Sequence, residues 1–123
     1  MYQGKKVLIV DDSKVERQIL KDMVSSVGFE TFEAENATDG MAKAEEVLPD
    51  LVLMDVVMPG MNGFQATRQM QNNDNLKDIP VIMCTSKNQP TDKVWGMRQG
   101  AKSYVVKPVD KNELLQEIKK VLG

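Results

Sequence analysis

Leu51-Val52-Leu53-Met54-Asp55, followed at once by Val56-Val57-Met58-Pro59-Gly60-Met61-Asn62-Gly63, is the stretch that decides the fold. Four apolar residues in a row before a turn rich in Pro and Gly read as a strand buried on both faces. Strands of that kind belong to parallel sheets covered by helices. The run ends in a carboxylate. An Asp at the carboxyl end of a buried parallel strand stands where such sheets bind their ligands, whereas an isolated Asp there is more often a cap or turn former. The flanking sequence decides between the two.

Toward the amino terminus, Lys6 to Val10 is a second buried strand, and it too ends in acid, Asp11-Asp12. Ser13-Lys14-Val15-Glu16 has capping-box spacing, and Val15, Ile19, Met23 and Val27 recur at helical intervals up to a stop at Gly28. Phe29 to Ala34 alternates apolar and acidic residues, which suits a short strand near a sheet edge. Asn36 can cap the next helix, whose apolar stripe is Met41, Ala44, Val47 and Leu48 before Pro49 closes it.

Toward the carboxyl terminus, Asn62 or Gly63 opens a helix carrying Phe64, Ala66, Thr67 and Met70. Val81 to Cys84 is a fourth buried strand running into Thr85-Ser86. Pro90 suits the first turn of a helix that reaches Gly100, with Val94, Met97 and Ala101 toward the core. That leaves Trp95 about 100° round the helix and partly exposed, the kind of residue that anchors partners. Tyr104-Val105-Val106 leads into Lys107-Pro108, and Asp110 caps a last helix with Leu114, Leu115, Ile118, Val121 and Leu122 on one face. Five strands alternating with five helices predict an α/β, doubly wound parallel sheet covered on both faces.

Composition narrows the function. At 123 residues the chain makes one domain, so residues 1–123 are expected to act through a partner. A net charge of -2 with no basic run gives no case for nucleic-acid binding. No apolar run nears membrane-spanning length, and the start leads straight into a strand, which predicts a cytoplasmic protein without membrane insertion. The single cysteine, Cys84, lies inside an apolar strand and reads as a small buried residue. There is no histidine, which removes Ser-His and Cys-His pairs, His general bases and the usual zinc ligands together.

In a doubly wound sheet the carboxyl ends of the strands share one edge, so Asp11, Asp12, Asp55, Thr85 and Lys107 are expected to converge there. Singly, the acids read as caps, Thr85 as a strand-end residue and Lys107 as a solvated charge. Together they form an acidic cluster that calls for a cation. Oxygen-only ligands select Mg²⁺, Mn²⁺ or Ca²⁺, and few carboxylates with room for water suit Mg²⁺ best. A metal with an open position invites phosphate oxygens, for which Thr85 offers a hydroxyl and Lys107 a charge, leaving Asp55 as a nucleophile able to form an aspartyl phosphate.

These residues resemble the receiver domains of bacterial two-component response regulators, with a flavodoxin- or CheY-like fold. The resemblance is carried by Val10-Asp11-Asp12-Ser13, Leu53 to Gly63, Thr85-Ser86 and Gly100-Ala101 through Lys107-Pro108. The stretches Asn62 to Gln69 and Thr91 to Gly100 are similar, more narrowly, to stand-alone receivers of type IV pilus twitching systems. The resemblance implies strand order 2-1-3-4-5 and a single receiver domain with no output domain. It implies Asp55 as phosphoacceptor, Asp12 as a direct Mg²⁺ ligand with Asp11 acting mostly through water, and the Val57 carbonyl as a further ligand. Lys107 would contact the phosphoryl group, helped by a cis bond to Pro108. The donor would be a phosphohistidine on a separate, CheA-like histidine kinase. Switching would couple Thr85 to Tyr104, whose ring turns inward, although Tyr104 alone reads as a half-buried residue with a wet hydroxyl. A monomer would present the last two helices and the fifth strand to its target, with Trp95 on that surface by position.

Other readings compete. An Mg²⁺-dependent aspartyl phosphatase would resemble Asp-x-Asp, and the second place here is Val57. A phosphorylation-independent adaptor would have no need of the five polar residues. A flavin or nucleotide carrier would need a Gly- or hydroxyl-rich loop where Asp11 and Asp12 stand. Whether the phosphorylated form drives motility or only drains phosphate from a shared kinase stays open. Val57 and Lys87, beside the site, are poor groups for orienting water, which predicts slow dephosphorylation.

Overall fold

The computed structural model describes residues 1–123. Five strands, β1 (Lys6–Val10), β2 (Glu30–Ala34), β3 (Leu51–Met54), β4 (Val81–Thr85) and β5 (Ser103–Val106), alternate with five helices. The helices are α1 (Lys14–Ser25), α2 (Ala37–Val47), α3 (Gly63–Gln71), α4 (Pro90–Gln99) and α5 (Lys111–Leu122). All strand pairs are parallel, in the order β2-β1-β3-β4-β5. β3 and β4 are buried along their whole length, as their unbroken apolar sequences require, while β2 at the edge keeps Glu30 and Glu33 in water.

Alternation along the strands builds two cores. Val7, Ile9, Leu51, Leu53, Ile82, Cys84 and Val105 meet Leu20 and Val24 of α1 and Leu114 and Ile118 of α5. Leu8, Val10, Val52, Met54, Val81 and Met83 point the other way, toward Ala37 and Ala44 of α2 and Phe64, Ala66 and Met70 of α3. Burial in the first core pushes the Cys84 thiol up to about 12.

The helix starts follow the capping signals. Ser13, Asn36 and Asp110 each accept the backbone N–H three residues on, and Asn62 and Gln65 form a reciprocal capping box at 2.9 Å, so Asn62 rather than Gly63 is the cap. Pro90 opens α4.

Three helix faces differ from the sequence expectation. In α1, Val15 and Ile19 are exposed at 69% and 41%, and Leu20 and Val24 fill the core instead. Side chains four apart advance about 40° past a full turn at each step, so the Val15-to-Val27 stripe winds out of the interface toward the amino terminus. Leu48 of the α2 stripe is also exposed, because the helix ends before Pro49 and Leu48 becomes a left-handed cap with φ 47°. In α4, Val94 and Met97 point outward, whereas Gly96 and Gln99 are buried. That helix is seated through a glycine, which leaves no apolar periodicity to read.

Leu48 carries a conformation that favours glycine. Leu48→Gly is therefore expected to stabilise the chain by about 0.5–1 kcal/mol, the left-handed strain removed less the extra freedom given to the unfolded state. Urea unfolding checks this through a raised midpoint at unchanged slope.

Candidate functional site

The sheet register places the polar residues. Val10 lies opposite Met54, so Asp11 and Asp55 are the next residues on neighbouring strands, and Thr85 lies opposite Val106, so Lys107 follows on the far side. Backbone bonds hold all three just past the strand ends: Asp11 N–H to Ala34 O, Asp55 N–H to Val10 O and Lys107 N–H to Thr85 O.

Lys107 Nζ donates to Asp11 Oδ2 at 2.7 Å, lies 3.4 Å from Asp55 Oδ2, and stands 4.0 Å from Glu16. The Asp11 and Asp55 side chains are 1% and 7% exposed. Their other oxygens are also engaged, Asp11 Oδ1 by the Ser13 N–H at 2.9 Å and Asp55 Oδ1 by the Val56 N–H at 2.7 Å. Asp12 is exposed beside them.

Burial raises the Asp55 carboxyl above its ordinary value. Lys107 opposes that rise, Asp11 adds to it, and the Thr85 hydroxyl and Val56 amide again oppose it. For Lys107, burial disfavours the charge, yet the hydrogen bond to Asp11 and the charges of Asp55, Asp11 and Glu16 outweigh it and raise the ammonium.

Oxygens of Asp11, Asp12 and Asp55 lie within 4.8 Å of one another. The Val57 carbonyl, at the exposed turn after Asp55, accepts no backbone hydrogen bond. An all-oxygen set of this kind, open to water on the Asp12 side, fits a hard divalent cation such as Mg²⁺.

On the other flank, Thr85 Oγ1 accepts the Lys87 N–H at 3.3 Å, and the Tyr104 hydroxyl donates to the Lys87 carbonyl at 2.8 Å. Tyr104 is thus neither half-buried nor wet. The residue is 8% exposed, its ring lies inward against Gly96, and burial pushes its hydroxyl up to about 12. Room for the ring comes from Gly96, where a Cβ would stand 3.1 Å from Tyr104 Cδ2 and 3.2 Å from Phe64 Cε1. The Lys107–Pro108 bond is cis. Trp95 is 51% exposed, but on the flank of α4 that faces α3 rather than on the surface shared with β5 and α5 where position alone put it, and it shares a groove with Phe64 and Gln65.

Sequence reasoning passed over Glu16 and Gly96, and it read Lys87 only as a cation beside the site, not for its backbone. Glu16 reads as a helix cap residue, and only its place in the first turn of α1, at the same sheet edge as Lys107, hints at more. Lys87 acts through its backbone and Gly96 through a missing side chain, so neither leaves a chemical signature in the sequence.

The fold and this cleft define a receiver, and the chain belongs to the response regulator receiver domain family, which matches residues 7–119. Protein PilH of Pseudomonas aeruginosa is 53% identical over 118 residues, which span 96% of this chain and 98% of that protein. Chemotaxis protein CheY of Thermotoga maritima is 35% identical over 96% of this chain and 98% of its own length. Among solved structures, chemotaxis protein CheY4 of Vibrio cholerae superposes with a TM-score of 0.89 at 33% identity, covering 96% of this chain and 98% of that one.

With its carboxyl raised, Asp55 binds its proton more tightly folded than unfolded. Its contribution to stability is present below the ordinary value of 3.8 and is lost as pH rises through the folded value. In chelator-treated protein at neutral pH, Asp55→Asn is therefore expected to raise the thermal midpoint. The gain should shrink as pH falls toward 4, and a midpoint series over that range checks it.

Proposed function

We propose that this chain is a phosphorylation-controlled signalling switch in which Asp55 accepts a phosphoryl group from a histidine kinase. The observation that carries the reading is the pairing of Asp55, buried at a strand end, with Lys107 at 3.4 Å and two further carboxylates in reach. Domains of this family act as phosphoacceptor switches, and the residues here supply the parts such a transfer needs.

In that reading an Asp55 oxygen attacks phosphorus, the P–N bond of a phosphohistidine breaks, and the imidazole leaves with the electron pair and takes up a proton. No base is needed, because the carboxylate form of Asp55, which Lys107 favours, has no proton to remove before it attacks. Lys107 and the Thr85 hydroxyl hold the transferred oxygens. Bound among Asp11, Asp12, Asp55 and the Val57 carbonyl, Mg²⁺ would neutralise the charge that accumulates between carboxylates and phosphate. The chain thereby assists its own phosphorylation and its own dephosphorylation.

The likeness to PilH and to chemotaxis protein CheY favours a place in type IV pilus or chemotaxis-like motility control, with the chain acting as a monomer in the cytoplasm. Its downstream target would meet the α4–β5–α5 face, and drainage of phosphate from a shared kinase is the other use of the same chemistry. The inward Tyr104 favours a second reading, an adaptor that engages its partner without phosphorylation.

Intact mass after incubation with acetyl phosphate and Mg²⁺ separates these. One added phosphoryl group on the wild type, lost in Asp55→Asn and without Mg²⁺, is the expected result. No adduct on folded protein moves the assignment to the adaptor.

Dephosphorylation is expected to be slow, because the exposed Val57 and the cationic Lys87 give water no acceptor. Val57→Asn should speed the decay roughly tenfold, less than the hundredfold or more of a positioned general base. Loss of the adduct mass with time measures this, and a wild-type lifetime of seconds would count against it.

A further inference from the structure

The α3–α4 flank carries a feature that the phosphoacceptor chemistry does not use. A groove of about 800 Å³ runs between the two helices, floored by Met61 and Phe64 and walled by Gln65, Arg68, Trp95 and Gln99. Around Gly60, Asn62, Phe64 and Trp95 it joins a second groove that reaches Val57 and Lys87 beside the Asp55 turn. Two large apolar side chains stand open along this path, Trp95 at 51% and Val57 at 56%.

The charge of the path is one-sided. No carboxylate lines either groove, in a chain with 18 acidic residues and a net charge of -2. Arg68 belongs to none of the chain's ion pairs, whereas Lys87 is matched by Asp92 at 3.8 Å. Trp and Arg are among the residue types most enriched at the hot spots of protein interfaces, and here a half-exposed indole and an unpaired guanidinium line one groove.

The geometry points to a docking site between α3 and α4 for an acidic segment of a partner protein, one that lays a large apolar side chain against Trp95 and a carboxylate on Arg68. The site lies on the opposite flank of α4 from the α4–β5–α5 face and does not depend on phosphorylation of Asp55. Arg68 favours the acidic partner by attraction while Trp95 takes up the apolar side chain, and a basic segment would meet Arg68 without compensation.

Selection of a phage-displayed random peptide library on the immobilised full chain tests this. Enriched peptides are expected to be net acidic with a Trp, Phe, Leu or Ile, and to shift Trp95 emission on titration. Binding should weaken about thirtyfold in Trp95→Ala, a variant whose exposed side chain leaves the core intact. On Arg68→Glu the selection should turn to basic peptides. Amide shifts on binding should fall at Gln65 to Gln69.

Four outcomes would overturn the assignment. They are no enrichment relative to the Trp95→Ala, Arg68→Glu double variant, enriched peptides without acidic residues, and amide shifts confined to β5 and α5. The fourth is Trp95 emission that changes with protein concentration alone, which would mean that a second copy of the chain covers the groove.

Discussion

Two carboxylates, Asp11 and Asp55, are folded almost out of reach of water at the ends of adjacent strands, and a single ammonium group, Lys107, answers both. Taking such charges out of water costs several kcal/mol each, so the arrangement stands only because Lys107 and the amides of Ser13 and Val56 engage the oxygens. The ion cluster ties β1, β3 and the end of β5 together across positions nearly a hundred residues apart in sequence. It also keeps the site under tension: one ammonium among Asp11, Asp55 and Glu16 leaves net negative charge. Added cation or added phosphate each changes a balance that is already tight.

From this cluster a short chain of contacts leads away from the sheet edge. Thr85 touches the Lys87 amide, the Lys87 carbonyl receives the Tyr104 hydroxyl, and the Tyr104 ring lies against Gly96 of α4. Charge at Asp55 and the seating of α4 are thus separated by one hydroxyl, one loop residue and one ring. α4 presents Val94, Trp95 and Met97 outward while its contact with the core rests on Gly96 and Gln99. A helix seated on few buried side chains costs little to move, in keeping with the way functional elements are drawn from the less stable parts of a fold.

Most of the architecture was legible because burial on both faces leaves a simple trace. β1, β3 and β4 are unbroken apolar runs, and their ends mark where the polar groups must gather. Caps at Ser13, Asn36, Asn62 and Asp110 were equally plain, since the side chain and the amide it serves lie three residues apart. Helix phase was less legible. Val15, Ile19, Leu48, Val94 and Met97 keep helical spacing, but spacing does not say which way a stripe faces when a proline ends the helix or a glycine seats it. Within the site, Asp11, Asp55 and Lys107 followed from topology alone. The Tyr104–Lys87 bond did not, because one partner is a backbone carbonyl whose direction no side chain announces.

Cys84 sits in the middle of this frame, fully buried in β4 beside β3, its thiol pushed up to about 12. The thiolate is the form that attacks thiol reagents, and the native fold offers them neither thiolate nor access. The folded chain should therefore behave toward such reagents as though it had no cysteine, and react only when β4 is released from the sheet. The rate at which a thiol reagent modifies it becomes a clock for global opening, built into the centre of the molecule.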